Sequence, residues 1–405
     1  MLPAIVPSLE IHHQAGHDLD SRGEPSMSPR PRDRFFPTLL GAALWMSSLA
    51  MASTGCHSNS AAPASTGPTK IKVAYLGLTC EAAMFVAYEK GFFQEEGLDV
   101  EFVKTDWDGL RDGLGLGRFD ANYTLIMYLL KPIEQGLDVK ITGGVHSGCL
   151  RVQACAKNSI KTVEDLRGKR IGIPTMGSPP FLFTSRVLAA HGMDPKKDVE
   201  WVVIPTEVAG LAIDSEKIDA VANSEPIGSI LLAQGKVRTI ADQAVDPFYR
   251  DEYCCAVVVS GALAKRDPRS AAKVTHALLK GARWVDENPT AAAQLSVEKN
   301  YIAASVEINA LALSTLKFTP GIFRCRKSLD LAATEMKAAG LLNPSTEPTE
   351  LAHRAWLDLE GVSDDWIQSL KVEHVANGGP APPLNPTTIT ALLNGKAPIS
   401  CCAGR

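Results

Sequence analysis

Nine cysteines stand out for chemistry in this 405-residue chain: Cys56, Cys80, Cys149, Cys155, Cys254, Cys255, Cys325, Cys401 and Cys402. A thiolate is a nucleophile and a soft metal ligand. Adjacent Cys254 and Cys255 open an apolar run, YCCAVVVSG, over residues 253–261. Side chains alternate along a strand, so both thiols can reach one point only if a bulge intervenes. No CxxC pair and no Cys/His spacing of the zinc type is present. No Ser/His/Asp or Cys/His arrangement for nucleophilic catalysis is evident either, and of the nine histidines only His146, after the stretch ITGGV, falls beside other candidates. The chain is therefore not expected to be an enzyme, nor to hold a resident metal or cofactor. Buried thiols or disulfides are the plainer reading of the cysteines. Thiol-based binding or trafficking of a metal or metalloid is the alternative.

Other groups point to ligand binding. Glu81, Asp106, Asp108, Glu207 and Glu225 recur at loops between predicted elements. Taken singly, each acid is an ordinary solvated loop residue; together they favour a neutral or cationic ligand by Coulomb sign. Trp107 and Tyr123 offer ring faces to a planar or cationic group, with core packing as the alternative. Gly177-Ser178-Pro179-Pro180 opens a predicted helix. There Ser178 can cap, the prolines lack donors that the first turn cannot use, and the free N–H groups can hold a polar or anionic group.

These residues sit in two similar passes of strand and helix. The first has strands at 70–78, 98–105 and 117–125 and a helix at 82–90, stopped by Gly91. The second has strands at 170–174 and 198–205, a helix at 181–192 stopped by Gly192, and a third entry at 216–226. Asp99-Val100-Glu101 and Val103 recur 99 residues later as Asp198-Val199-Glu200 and Val202, and Asp120-Ala121 recurs as Asp219-Ala220. Matched β-α-β units predict two α/β lobes of like topology. Such lobes bind ligands outside the carboxyl ends of their strands and at the interface between domains. The run at 253–261 reads as a buried strand returning to the first lobe. The helical segments 268–289, 291–300, 305–316 and 328–342 follow and pad that lobe.

Composition is ordinary for a globular chain: 45% hydrophobic, 21% charged, formal net charge −4. That excludes a basic nucleic-acid binder and a disordered acidic chain. Near the N-terminus, Arg30, Arg32 and Arg34 precede the apolar run LLGAALWMSSLAMA and then Ser53-Thr54-Gly55-Cys56. This reads as an export leader over 1–55. Cys56 is then the lipidated first residue, although Ser53 stands where a lipobox usually has leucine. Plain cleavage near Ala52 is the alternative. Residues 56–69 read as a flexible tether, 70–160 and 253–370 as the first lobe, 161–252 as the second, and 371–405 as a tail. Eight cysteines remain beyond Cys56 and allow 105 disulfide connectivities.

AYEKGFFQEEGLDVEFV (87–103), TVEDLRGKRIGIP (162–174) and ARWVDENPTAAAQL (282–295) resemble the nitrate/sulfonate/taurine and thiamine-precursor group of ABC-transporter substrate-binding proteins. The resemblance runs over about 70–361. It implies a type II periplasmic-binding fold of two α/β lobes around a ligand cleft that closes on a small solute. It also implies ABC permease and ATPase partners encoded elsewhere and no catalysis; the leader and Cys56 make the chain an exported, lipid-anchored protein, its charge points to no nucleic-acid partner, and a monomer is expected. Mapped residue by residue, it places ligand contacts at Thr79, Cys80, Glu81, Trp107, Tyr123 and Thr124 in the first lobe. Met176, Gly177, Ser178, Asn223 and Glu225 are its second-lobe contacts. His146 lies at the expected rim.

Overall fold

The computed structural model describes residues 67–379. In chain order its strands are β1 (Thr69–Tyr75), β2 (Leu98–Lys104), β3 (Ala121–Leu125), β4 (Val139–Ser147) and β5 (Leu150–Cys155). Then come β6 (Arg170–Ile173), β7 (Glu200–Val203), β8 (Ala220–Ser224), β9 (Val237–Asp242) and β10 (Tyr253–Ser260). They form two five-stranded sheets, ordered β2-β1-β3-β10-β4 and β7-β6-β8-β5-β9. The fourth strand in each order, β10 or β5, runs antiparallel to both of its neighbours. This is the type II periplasmic-binding arrangement, with β10 returning to the first sheet as its apolar run predicts.

Strands apolar on both faces need helices on both sides. Every residue of β3 and of β10 is buried. Helix Pro268–Glu287 covers part of the first sheet. It begins where the Asp267 carboxylate accepts the Ser270 N–H at 3.0 Å, with Pro268 in the first turn where a missing donor costs nothing. It lies very close to helix Ala82–Glu89, because a Cβ on Gly281 would stand 2.2 Å from the Ala83 carbonyl oxygen. Helix Phe323–Ala338 begins five residues before the expected 328. Among the described residues no helix is long and apolar enough to cross a membrane.

The 99-residue repeat has a physical counterpart. The Asp120 carboxylate accepts the Lys72 N–H of β1 at 2.9 Å, while the Asp120 N–H donates to the Lys72 carbonyl. In the second lobe the Asp219 carboxylate accepts the Arg170 N–H of β6 at 2.9 Å, and the Asp219 N–H donates to the Arg170 carbonyl. Each aspartate also holds a guanidinium: Arg266 at 2.8 Å on Asp120 and Arg170 itself on Asp219. The same residue thus clips the third strand of each lobe to the start of the first.

The expected lobe boundary near residue 160 is corrected. Strand β5 pairs with β8 and β9, so the first crossing is the dipeptide Gly148-Cys149. Both residues have positive φ, +80° and +128°. Glycine adopts that freely, whereas a non-glycine residue loses about 1–3 kcal/mol. The second crossing spans residues 243–252. The expected tail is also shorter than proposed, since residues 371–379 dock on the first lobe. Lys90 pairs with Glu373 at 2.5 Å, and the Val375 N–H donates to Asn288 Oδ1 at 2.7 Å. The leader, Cys56, most of the tether and Cys401-Cys402 lie outside the described residues.

A continuous apolar core passes through both lobes, and a smaller cluster around Ile213, Ile218 and Leu231 lies on the far side of the second sheet. One buried cation ties the halves together. Arg186, in helix Pro179–Ala190 of the second lobe, holds both carboxylate oxygens of Glu252 at 2.9 and 2.8 Å. It also holds Glu335 of helix Phe323–Ala338 at 2.6 Å. Glu252 lies in the second crossing, and the helix carrying Glu335 packs on the first sheet. Burial pushes the Glu252 carboxyl upward in pKa even against the pull of Arg186.

Candidate functional site

The ends of β3 and β4 and the start of β10 meet where the chain crosses between the lobes. Pairing places Cys255 opposite both Leu125 of β3 and His146 of β4. The ladder with β4 slips between Tyr253 and Cys255 and again between Cys255 and Ala256. Those irregularities break the strict alternation of side chains, so Cys254 and Cys255 are not forced apart. Cys80, from the loop after β1, completes a trio: its Sγ, the Cys255 Sγ and a ring nitrogen of His146 lie within 4.8 Å of one another. The Cys149 thiol adjoins those of Cys80 and Cys254, and Cys254 adjoins Cys255. All five side chains are buried, Cys149 being the most open at 3%. The six described cysteines are free thiols. Cys155 and Cys325 stand apart as ordinary buried thiols; the other four converge.

Neighbouring groups fix this cluster. The Tyr123 hydroxyl donates to the Cys80 carbonyl and accepts the Ala83 N–H, which pins the loop after β1. The Thr79 hydroxyl donates to Asn309 Oδ1 at 2.7 Å. Glu81 turns back on its own loop, its carboxylate accepting the N–H groups of Leu76, Gly77 and Leu78 at 2.7–3.0 Å. Burial nonetheless pushes the Glu81 carboxyl up to about 7. Gly144 of β4 lets the Tyr253 ring approach, since a Cβ there would stand 2.7 Å from ring carbons.

His146 is the least satisfied group. Neither ring nitrogen has a hydrogen-bond partner among the described residues. The main chain of Ser147 comes near without completing a bond, and the Phe318 ring lies 4.9 Å away, centroid to centroid. Burial lowers the imidazole's pKa, so the ring is neutral at neutral pH. Among the thiols, contacts with Cys254 and Cys80 pull the Cys149 thiol below its ordinary pKa. Contact with Cys149 raises Cys80, and burial raises Cys254 and Cys255.

The second lobe supplies a different set. Glu225 is paired with Arg151 at 2.5 Å and accepts from the Ser229 N–H and hydroxyl. Arg151 also holds Asp242 at 2.8 Å. Burial lifts Glu225 to about 7, opposed by Arg151. Thr315, beyond the helix Val306–Leu313 that packs on the first lobe, donates to Glu225 at 3.3 Å and so bridges the two lobes. Asn223 donates to Gln153 at 2.8 Å, while its Oδ1 is buried without a partner. Asn223 also lines a shallow groove with Pro174, Thr206 and Ile227.

The mapped residues therefore divide. Thr79, Cys80, Tyr123 and His146 gather at the crossing, with Thr124 buried nearby on β3, its hydroxyl unpartnered. Asn223 and Glu225 stand at the end of β8 in the second lobe. Trp107 is not in the cluster; its ring meets Tyr128 edge-on at 5.1 Å. Met176 and Gly177 are exposed. Ser178 stands at the N-cap position, but its hydroxyl donates to the Thr175 carbonyl and caps nothing. The acidic bias also dissolves. Asp106 caps its helix through the Gly109 N–H, Asp108 pairs with Arg111, Glu207 is exposed, and Glu81 and Glu225 are internally bonded. Cys149, Cys254 and Cys255 lie beside Cys80, and Arg151 beside Glu225; none of the four is among the contacts that the resemblance implies.

A family model described as the NMT1-like family matches residues 64–298. The nitrate/nitrite binding protein NrtA of Nostoc sp. is 25% identical over 306 residues, 67% of this chain and 69% of that protein. A putative thiamine biosynthesis protein of Haemophilus influenzae is 27% identical over 238 residues, covering 57% of this chain and 73% of its own length. The solved periplasmic nitrate-binding protein NrtA of Synechocystis superposes with a TM-score of 0.62 at 18% identity, over 82% of this chain and 99% of the other, a likeness of fold.

Proposed function

Since this chain belongs to the NMT1-like family, we propose that it is the solute-binding subunit of an ABC importer, working outside the cytoplasm. It captures a small molecule between its lobes and presents it to a permease whose ATPase drives uptake. The observation that carries this reading lies at the crossing itself: where the chain passes between two matched lobes, both ring nitrogens of His146 are buried without a partner among the described residues. Groups of that kind stay costly until a ligand satisfies them. The relatives point the same way, being binding proteins for nitrate and nitrite.

In mechanism the two crossings act as hinges. Closure brings Thr315 onto Glu225 and buries the strand ends, so ligand affinity resides in the closed state. The working chain is a monomer held at the membrane by lipid on Cys56, its tether giving the lobes reach. No step of it breaks a covalent bond in the ligand.

The test is a thermal-shift screen of the full-length protein, reduced and oxidised, against nitrate, sulfonates, nitrogen heterocycles, amines and metal ions. A ligand specific for the folded state adds about 2.7 kcal/mol at 100 times its dissociation constant. Compaction of the hit complex by small-angle scattering is expected. Turnover of a bound solute, or binding with no closure, would sink the receptor reading.

A further inference from the structure

The buried cluster Cys80, Cys149, Cys254, Cys255 and His146 has a composition unlike the rest of the molecule. Its donors are sulfur and imidazole nitrogen, with no oxygen donor free to join them: Glu81 is spent on three N–H groups and Glu225 on Arg151 and Ser229. Tetrahedral sites with metal–sulfur bonds of about 2.3 Å and metal–nitrogen bonds of about 2.0 Å need ligand atoms about 3.5–3.8 Å apart. The Cys80, His146 and Cys255 donors, all within 4.8 Å of one another, approach that spacing. Small side-chain rotations close the remainder.

Three independent features point the same way. The His146 nitrogens are fully buried and unpartnered, and the ring is aimed into the thiols. The β10 irregularity frees two consecutive cysteines from pointing apart. The Cys149 backbone is held at φ +128°, a conformation that glycine would adopt without cost, yet the position carries a thiol beside Cys80 and Cys254. Two thiols within 4.8 Å of a neutral imidazole nitrogen, with two more cysteines beside them, form a soft-ligand set, which selects thiophilic ions over Mg(II) or Ca(II).

We infer that the cargo held at the crossing is a thiophilic divalent metal ion, bound by Cys80, Cys255 and His146 with Cys149 or Cys254 as a further ligand. This rests on the receptor reading above and names its solute class. The charge balance supports a divalent ion. Cys80 and Cys255 each release one proton to solvent on ligating, and these two thiolates with neutral imidazole cancel a 2+ charge; a further thiol from Cys149 or Cys254 releases a third proton and leaves the site at −1. Because every ligand is buried at the first lobe's strand ends beside the crossings, loading the site requires the structure to open there and retaining the ion requires it to close.

The experiment uses full-length protein, reduced and handled without oxygen, with Zn(II) as the probe and Mg(II) and Ca(II) as controls. Equilibrium dialysis with metal analysis is expected to give one Zn(II) per chain and none of the hard ions. Cd(II) added to the unmodified protein is expected to show thiolate-to-metal charge-transfer absorption of at least two sulfurs, a readout that needs no variant. Cys80→Ser with Cys255→Ser should cut Zn(II) affinity by at least 100-fold, and His146→Gln by at least 10-fold. Cys325→Ser should leave binding unchanged. Should the cysteine pair fail to fold, the Cd(II) spectrum and His146→Gln decide. Zn(II) binding that survives these changes, or absent charge transfer, overturns the inference. An organic solute that binds and closes the lobes while Zn(II) does not overturns the metal assignment alone and leaves the receptor standing. Stoichiometric Zn(II) that produces no closure overturns the receptor reading instead.

Discussion

Arg186→Met isolates what the buried cation contributes. Methionine keeps much of the stem's volume and removes the charge. In the wild type the Arg186 side chain is fully enclosed, that of Glu252 is 1% exposed and that of Glu335 is 29% exposed. Removing the cation strands a carboxylate in the second crossing. Breaking one side of a buried pair costs about 3–5 kcal/mol. Against a total stability of about 5–15 kcal/mol, that is a large share. Glu252 already has a raised pKa, so it responds by taking up a proton, which keeps the loss toward the lower end. Arg186→Met combined with Glu252→Gln no longer strands a charge and should recover most of the deficit. Glu335→Gln, at the more open partner, should cost about 1 kcal/mol or less. Urea unfolding at neutral pH reads these differences as midpoint shifts at constant slope. A loss below about 1 kcal/mol for Arg186→Met, or a double variant no better than the single, refutes the argument from a stranded charge.

Three further outcomes are expected. Gly144→Ala drives a methyl into the Tyr253 ring and should lower stability by about 1–3 kcal/mol, with Tyr253 fluorescence changing alongside. Thr79→Val leaves Asn309 Oδ1 unsatisfied in a buried place and should cost about 1–3 kcal/mol in thermal or urea unfolding. Asp219→Asn tests the repeated clip through its pH dependence. Arg170 holds the Asp219 carboxyl below its ordinary value, so the pair contributes above the usual carboxylate pKa and is lost as pH falls through the lowered one. After discounting for solvent, the variant should cost about 0.5–1 kcal/mol at pH 7, and the cost should fade as pH drops through the lowered carboxyl pKa. A cost that is flat with pH would show that the ion pair is not its origin.

The fold was legible because its signals are local or periodic. Alternating strands and helices, the stops at Gly91 and Gly192, and the 99-residue recurrence of Asp120 as Asp219 all carry a physical role in the structure. The crossing was misplaced because Gly148-Cys149 is two residues long and β5, LRVQAC, carries no signal of which sheet it joins; only its pairing with β8 and β9 assigns it. The site was half legible. Cys80 and Glu225 do stand just after strands, whereas Tyr123 and His146 lie within β3 and β4. The acids misled because sequence shows a carboxylate's charge and not its partner: Glu81 looks free until its three N–H groups are seen. Cys254-Cys255 was visible as a pair, but its convergence depends on a ladder slip that no local pattern encodes.

The placing of β10 has a consequence for how the chain is made. Strands β5 to β9 all come from residues 150–242, so the second lobe can complete its sheet from one continuous stretch. The first lobe cannot. Its β3 ends at Leu125 and β4 at Ser147, yet the strand that must lie between them begins at Tyr253. Until that segment emerges, two apolar edges stay open to wrong pairing, and contacts this distant in sequence form late. The lobe that starts first is therefore finished last, and the arrival of Cys254 and Cys255 closes the sheet and completes the thiol cluster in a single event.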